Sequence, residues 1–395
     1  MIRPGSTIGV LGGGQLGRMF VQAASPAGYR IIIRTDDAAG GPAAQVADAE
    51  FVGAYDDTEL NLAFAKECDV VTSEFENLPV ELLRHLTDVL PVRPGAGALF
   101  ICQHRRREKE FLAANGFPHA QFEVVRSASE VCSALRVVGG RGILKTAAFG
   151  YDGRGQIRLQ APADNEWCQR LCVDAWEELG VEEAVLEGFV PFDREISVVG
   201  ARGFKGEWVA FPPGENVHTG GILDYTIAPA RVSVRVATRA VDLAHHIAIA
   251  LDYVGTIGIE FFVLPDDSLV VNEIAPRPHN SGHHTIDACT VSQFGLQLQA
   301  VTGRALGHPI QHSPAVMVNL LGEHWSAGEP LWSVVNHDPS LRVHLYGKQG
   351  ARPGRKMGHL TVLARPHESV EKQLVRALAL RSQLDSRQFQ TDIEG

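Results

Sequence analysis

Short apolar runs separated by glycine, proline and acidic turns recur along the chain, and their rhythm changes twice. In the N-terminal part, runs at residues 6–11, 29–34 and 69–72 alternate with amphipathic stretches at 60–67 and 80–90. Strands alternating with helices predict a parallel, doubly wound sheet. From Gln103 onward the pattern turns to a basic helix starting at Arg105, a helix over 129–138, a lysine-bearing apolar strand over 142–146, a strand over 157–159 and a helix over Asn165–Leu179. Beyond Glu187 short strands at 194–199 and 207–211 alternate in the antiparallel manner, and a helix over 232–251 leads into two further strands. A helix at 291–301 and a strand at 315–320 follow. These shifts divide the chain into three parts, 1–103, 104–187 and 188–395.

The two strands after the long helix carry the most informative chemistry. Residues 258–264 are β-branched and aromatic, Pro265-Asp266-Asp267 breaks them, and 268–274 resumes, so an antiparallel hairpin is predicted. Glu260 and Glu273 then face each other near its open end among Ile259, Phe261 and Ile274. Two close carboxylates in apolar surroundings need a cation between them. Magnesium with a nucleotide phosphate meets that need, and structural ion pairing with Arg277 meets it equally.

Lys145 sits inside an apolar strand, where packing gives no reason for a lysine and an anion does. The stretch Gly150, Tyr151, Asp152, Gly153, Arg154, Gly155, Gln156 has more glycine than a tight turn requires, which favours a mobile loop over phosphates against a plain hairpin turn. Gly12-Gly13-Gly14-Gln15-Leu16-Gly17, with Asp36 about 20 residues on, formally matches a dinucleotide fingerprint. Any helix opened by glycines can hold an anion, so that turn alone does not choose among a dinucleotide, another nucleotide and no ligand. The segment 346–359, with Lys348, Arg352, Arg355 and Lys356, is either a solvated loop or an anion site.

Composition narrows the classes. The 395 residues exceed one ordinary domain, and 45% hydrophobic with 21% charged residues is the profile of a globular protein with sizeable cores. A net charge of −10 argues against general nucleic-acid binding. The six cysteines show no CxxC pair, which favours reduced thiols over a disulfide framework or zinc site, and Cys168 and Cys172, one helical turn apart, read as ordinary packing. No apolar run approaches a membrane span and the N-terminal MIRPGS shows no leader pattern, so a cytoplasmic location is expected.

In order along the chain, GGGQLGRM, FGYDGRGQ, EGFVPFDREISV, ENVHTGGILD, NEIAPRPHNSGH and YGKQGARPGRKMGH resemble the motifs of the ATP-grasp superfamily, and within it the 5-(carboxyamino)imidazole ribonucleotide synthases. The likeness runs along nearly the whole chain. One departure is His104, where the family usually has aspartate between Gln103 and Arg105. The resemblance implies an ATP-grasp fold of mixed α/β and α+β class, with a Rossmann-like parallel-sheet domain, a small central lid and a mainly antiparallel C-terminal domain. It implies a ligase that carboxylates 5-aminoimidazole ribonucleotide with ATP and bicarbonate, through carboxyphosphate.

By that resemblance Arg105 and Lys145 neutralise ATP phosphates, the loop Gly150 to Gln156 covers them, Glu187, Gly188, Phe189 and Val190 receive adenine, Glu195 binds ribose and His218 belongs to the same site. Glu260 and Glu273, with Asn272 beside them, hold magnesium or, in its place, manganese. Tyr151, Asp152, Arg154, Arg277, His279, Asn280 and Ser281 meet carboxyphosphate and substrate, Asp152 serving as base. Gln15, Leu16, Glu74, Lys348 and Arg355 take the ribonucleotide, the last two its phosphate. A homodimer and a separate mutase receiving the product are implied as well. Other ATP-grasp ligases, such as a formate-using transformylase, share the hairpin but differ in the GYDGRGQ and ARPGRKMGH stretches; an oxidoreductase explains only the first domain, and a non-catalytic regulator would lack Lys145 or the paired glutamates.

Overall fold

The structure, a computed structural model, describes residues 1–148, 155–161, 165–333 and 338–384. Three sheets succeed one another along the chain. The first is parallel, ordered Ala49–Val52, Arg30–Thr35, Thr7–Leu11, Val70–Ser73. Both of its faces are apolar because both are covered. Helix Gln15–Ala24 packs Met19, Phe20 and Val21 against Ile31 and Ile33, while Phe64, Leu82 and Leu86 of helices Thr58–Lys66 and Val80–Thr87 meet Ile32 and Val71 on the other side. Successive strand residues point to opposite faces, so one continuous isoleucine run serves two cores.

The second sheet is small and antiparallel, ordered Phe122–Val125, Ala184–Gly188, Arg141–Thr146, Gln156–Gln160. Helices Ala128–Val137 and Asn165–Leu179 close a single core on it. The third sheet has nine antiparallel strands. Strand Leu269–Ala275 forms one edge and pairs with Gly255–Val263, which pairs in turn with Arg194–Arg202. Helix Val234–Ala250, capped by the Ser233 side chain, buries Val236, Ala240, Ala244, Ile247 and Ala248 at three- and four-residue spacing against Ile257, Ile259 and Phe261.

Two features refine the expectations. The basic segment 346–359 is not all loop: its last residues begin strand Lys356–Leu363, which pairs with Leu341–Leu345, so only 346–355 is the connection. Helices Ala96–Cys102 and Arg105–Ala114, between the first and second sheets in sequence, pack with the third, where Ala98 and Leu112 join the core of the hairpin. Among the described residues no helix is long and apolar enough to cross a membrane.

Candidate active site

The hairpin has the predicted pairing. Glu260 opposes Glu273, and the register then slips so that Phe261 opposes Val271. Asn272 is left as the extra residue of a bulge, which lets two neighbouring side chains serve one face. Its amide donates to Glu260 Oε2 at 3.2 Å. Burial pushes the Glu260 carboxyl up to about 7; the nearby His218 opposes that shift and the Glu273 charge adds to it. Two hard oxygen donors, one of them strained towards protonation by burial and a like charge, suit a small divalent cation.

Because Leu269–Ala275 is an edge strand, its outer N–H and C=O groups need partners. Side chains of helix Arg105–Ala114 supply them: Glu108 Oε2 accepts from Ile274 N at 3.0 Å and Lys109 Nζ donates to Asn272 O at 2.7 Å. These two bonds bracket Glu273. Val271 N donates to Pro118 O at 2.8 Å, extending the cover. Glu108 Oε1 is buried without a hydrogen-bond partner. Burial, with the Glu273 charge adding to it, pushes the Glu108 carboxyl up to about 7 against the pull of Lys109.

Behind the hairpin, Glu187 gathers three cations: Lys145 Nζ at 3.0 Å, Lys109 Nζ at 3.6 Å and Arg105 Nη1 at 3.6 Å. Burial works against the Glu187 carboxylate, but these three charges outweigh it and hold its pKa at about 2. Burial lowers the Lys145 ammonium to about 8, with Glu187 opposing. A phosphate arriving here meets cations already assembled. His104, the departure from the family pattern, stands at the N-cap position without capping the helix through its side chain; its ring faces Glu183 at 3.6 Å, while Arg105 reaches Glu187.

At the expected adenine segment the backbone N–H of Gly188 donates to Gln121 O at 2.7 Å and that of Phe189 to Arg141 O at 2.9 Å. Those two donors are therefore spent within the protein. Phe189 is partly exposed beneath the Arg141 guanidinium, 4.5 Å from its ring centre, and Val190 follows it. Glu195 Oε2 meets His218 Nδ1. Burial disfavours the His218 imidazolium, yet that bond and the charge of Glu260 raise its pKa.

The turn after the hairpin holds the remaining groups. Arg277 grips Glu76 with Nε at 2.6 Å and Nη2 at 3.1 Å. His279 is fixed by Gln293, whose Oε1 accepts the His279 N–H at 2.7 Å and whose Nε2 donates to its carbonyl at 2.8 Å. Ser197 Oγ donates to Ser281 Oγ at 2.7 Å, which frees the Ser281 proton for His279 Nδ1, also at 2.7 Å. The neutral ring then carries its own proton on Nε2, 3.6 Å from Glu260 Oε1. Burial first, then the charges of Arg277 and Lys356, hold His279 well below its ordinary pKa. Gly258 makes room for the ring, since a Cβ there would lie 2.6 Å from His279 Cβ. Asn280 is 8% exposed, yet neither Nδ2 nor Oδ1 of its amide has a partner. Buried amides are normally satisfied, so this one has both a donor and an acceptor to offer.

In the first domain, Glu74 accepts from the backbone N–H of Gly14 and, at 2.7 Å, of Gly17. It fills the positive end of helix Gln15–Ala24 with the protein's own anion. A Cβ at Gly12 would lie 2.5 Å from Glu74 Cγ, which explains glycine there without any dinucleotide. Leu16 and Glu74 border a small hollow shared with Pro278, so they stand beside the Arg277 turn. Lys348 Nζ donates to Gln15 Oε1 at 2.6 Å, joining the basic connection to the glycine turn. Arg355 turns instead to its own loop, donating to Gln349 O at 2.5 Å and Gly350 O at 2.9 Å.

A polar cleft lies where the three sheets meet, with Glu76, Arg105, Glu108, Thr146 and Glu273 on its walls. Gly155 accepts from Thr146 N at 2.9 Å and Gln156 pairs with Lys145, at the end of the second sheet next to the cleft. Gly150, Tyr151, Asp152, Gly153 and Arg154 lie outside the described residues. The sequence reading did not single out Glu76, Glu108, Lys109 or Gln293. A signal for two of them was present, because Arg105, Glu108, Lys109 and Leu112 share one helical face.

Comparison with known proteins supplies the context for this geometry. Residues 5–103 match the ribonucleotide synthetase preATP-grasp domain, 110–294 the ATP-grasp domain and 315–373 the phosphoribosylaminoimidazole carboxylase C-terminal domain. The chain is 45% identical over 360 residues to the N5-carboxyaminoimidazole ribonucleotide synthase of Brucella melitensis, covering 91% of this chain and 97% of the relative. It is similar to the N5-carboxyaminoimidazole synthetase of Staphylococcus aureus complexed with ADP, with a TM-score of 0.88 at 34% identity over 96% of this chain and 98% of the other. The Aspergillus clavatus N5-carboxyaminoimidazole synthase in complex with ADP and 5-aminoimidazole ribonucleotide gives a TM-score of 0.85 at 30% identity, over 95% and 98%.

Proposed function

We propose, for a chain that belongs to the N5-carboxyaminoimidazole ribonucleotide synthases of the ATP-grasp superfamily, the following division of labour among its own residues. The activity is the ATP-dependent conversion of 5-aminoimidazole ribonucleotide to its N5-carboxy form in purine biosynthesis. In this reading bicarbonate oxygen attacks the γ-phosphorus of ATP, ADP leaves, and the carboxyphosphate formed passes its carboxyl group to the exocyclic amine as phosphate departs. The amine proton goes to Asp152.

Arg105 and Lys145 take the nucleotide phosphates, moving part of their charge away from Glu187. Phosphoryl transfer gains most from positioning and charge stabilisation, and these cations are already in place before the nucleotide arrives. Glu260 and Glu273, with Asn272, would hold magnesium, which when bound neutralises charge on the transferring phosphoryl oxygens. Glu108 and Lys109 are positioning residues that set the strand carrying Glu273. Arg277, His279 Nε2–H and the open amide of Asn280 form a donor set for the carboxyphosphate, and Gln15, Leu16 and Lys348 receive the ribonucleotide. Arg355 joins them if its loop turns inward. A homodimer, and a mutase acting on the product, complete the reading.

The observation that carries this assignment is the cross-strand pairing of Glu260 with Glu273 beside the cation cluster on Glu187. The test is ADP release with and without bicarbonate and the ribonucleotide. ADP formed only when both are present, in step with carboxylated product, is expected; ADP release indifferent to bicarbonate would remove carboxyphosphate from the scheme.

A further inference from the structure

Two helices of the central sheet bring together three thiols that the reaction does not use. Cys132 lies on helix Ala128–Val137, and Cys168 and Cys172 lie one turn apart on helix Asn165–Leu179. Their Sγ atoms all fall within 4.8 Å of one another, Cys132 and Cys168 being 3.6 Å apart. The three residues are at most 6% exposed and share a core with Val131, Leu135, Leu144, Leu159 and Ala175. The sequence spacing concealed this, because Cys132 stands far from the other two along the chain.

Donor type and surroundings narrow what such a site accepts. Sulfur donors select soft ions. A tetrahedral zinc site would lack its fourth ligand, since among the described residues the cluster holds no histidine or carboxylate. A divalent ion on three thiolates would also leave a net negative charge among aliphatic side chains, which is costly. A trivalent centre on three thiolates is neutral and escapes that cost. We propose that Cys132, Cys168 and Cys172 form a three-coordinate site for a trivalent thiophilic metalloid, with arsenous acid as the simplest ligand. Each thiol gives its proton to one arsenic-bound hydroxyl, which leaves as water while an As–S bond forms. Three waters are released, arsenic stays trivalent, and neither oxidant nor reductant is needed. Because the thiols are buried, entry requires local opening of the two helices, so binding is slow and quickens with temperature. The product ties the helices together and raises the thermal midpoint by mass action.

The test uses the full chain, reduced with a phosphine and freed of small thiols, incubated with arsenite and in parallel with cadmium. One arsenic per chain in the intact mass is expected, with alkylation after denaturing transfer blocked at Cys132, Cys168 and Cys172 but not at Cys68, Cys102 or Cys289. Arsenite should bind at least tenfold more tightly than cadmium. Cys132→Ala should cost at least tenfold in arsenite affinity, and Cys289→Ala nothing. Far-UV circular dichroism checks that each variant is folded, and the alkylation map of the wild type stands independently of them. Absence of arsenic after incubation at a temperature that opens the helices, protection of other cysteines, or tighter binding of cadmium would each overturn the proposal.

Discussion

Arg277, on the turn that follows the hairpin, is held in a two-pronged ion pair by Glu76 of the first domain, at 2.6 and 3.1 Å. A guanidinium gripped in this way is both oriented and neutralised before any substrate reaches it. Burial opposes the Glu76 carboxylate, but Arg277 outweighs it and keeps the pKa below the ordinary value. A residue of the first domain therefore aims the side chain of Arg277 on the turn after the hairpin.

Glu76→Gln should keep the shape and lose the charge. We expect kcat/KM for the ribonucleotide to fall by roughly 10- to 100-fold, the equivalent of about 1.5–3 kcal/mol for a charged hydrogen bond, with ATP affinity little changed. More ADP per carboxylated product should accompany the loss. Unchanged coupling and rate would show that Arg277 needs no partner.

Glu273→Gln should lower turnover by at least about 100-fold, the scale of losing one electrostatic stabiliser, while the thermal midpoint stays close to that of the wild type. Steady-state rates across a magnesium titration decide the matter. A wild-type rate at saturating magnesium would mark the hairpin carboxylates as structural.

Lys109→Met preserves volume and removes the bond to the Asn272 carbonyl. It also leaves Glu187 with two cations instead of three. Stripping one member from a buried charge network costs about 3–5 kcal/mol, to be read from urea unfolding. The magnesium needed for half-maximal rate should rise as well, and Lys109→Arg should restore part of it. A loss of stability without any change in magnesium requirement would make Lys109 purely structural.

Acid should destabilise the fold through its buried imidazoles. Burial is the leading cause that holds His279, His283 and His359 well below their ordinary pKa and His284 at about 4. The unfolded chain then takes up protons that the folded chain refuses, so stability is full above 6.5 and for His284 is lost progressively from there down to about 4. Glu108 and Glu260, both pushed up to about 7, act in the opposite sense, so the readout is a difference. His284→Gln should flatten the fall in urea midpoint between about pH 7 and about pH 5 by up to one proton's worth, roughly 1.4 kcal/mol per pH unit. Superimposable profiles would mean that His284 takes up its proton alike in the folded and unfolded chain.

Much of this was legible in one dimension. The parallel sheet, the long capped helix and the carboxylate hairpin announce themselves because apolar periodicity and turn residues are local signals. Lys145 was also readable, since a lysine in an apolar strand stands out. Lys109 escaped because its charged neighbours made the helix look like a solvated face, although it lies on the same face as buried Leu112. Glu76 and Gln293 were invisible for another reason: their partners are Arg277 and His279, and no local pattern encodes a contact between distant elements. The glycine turn left its anion open in the sequence, because the group that fills it is Glu74 from a neighbouring strand end.

The pair Glu108 and Lys109 has a bearing on solubility as well. Leu269–Ala275 ends a nine-stranded sheet, and a bare border of that kind templates the addition of a strand from another molecule. By satisfying the Asn272 carbonyl and the Ile274 amide with side chains, the helix denies a docking row to such a strand. Weakening this cover would free the border for self-association, so colloidal loss at high protein concentration should accompany any loss of turnover caused by changes at these two positions.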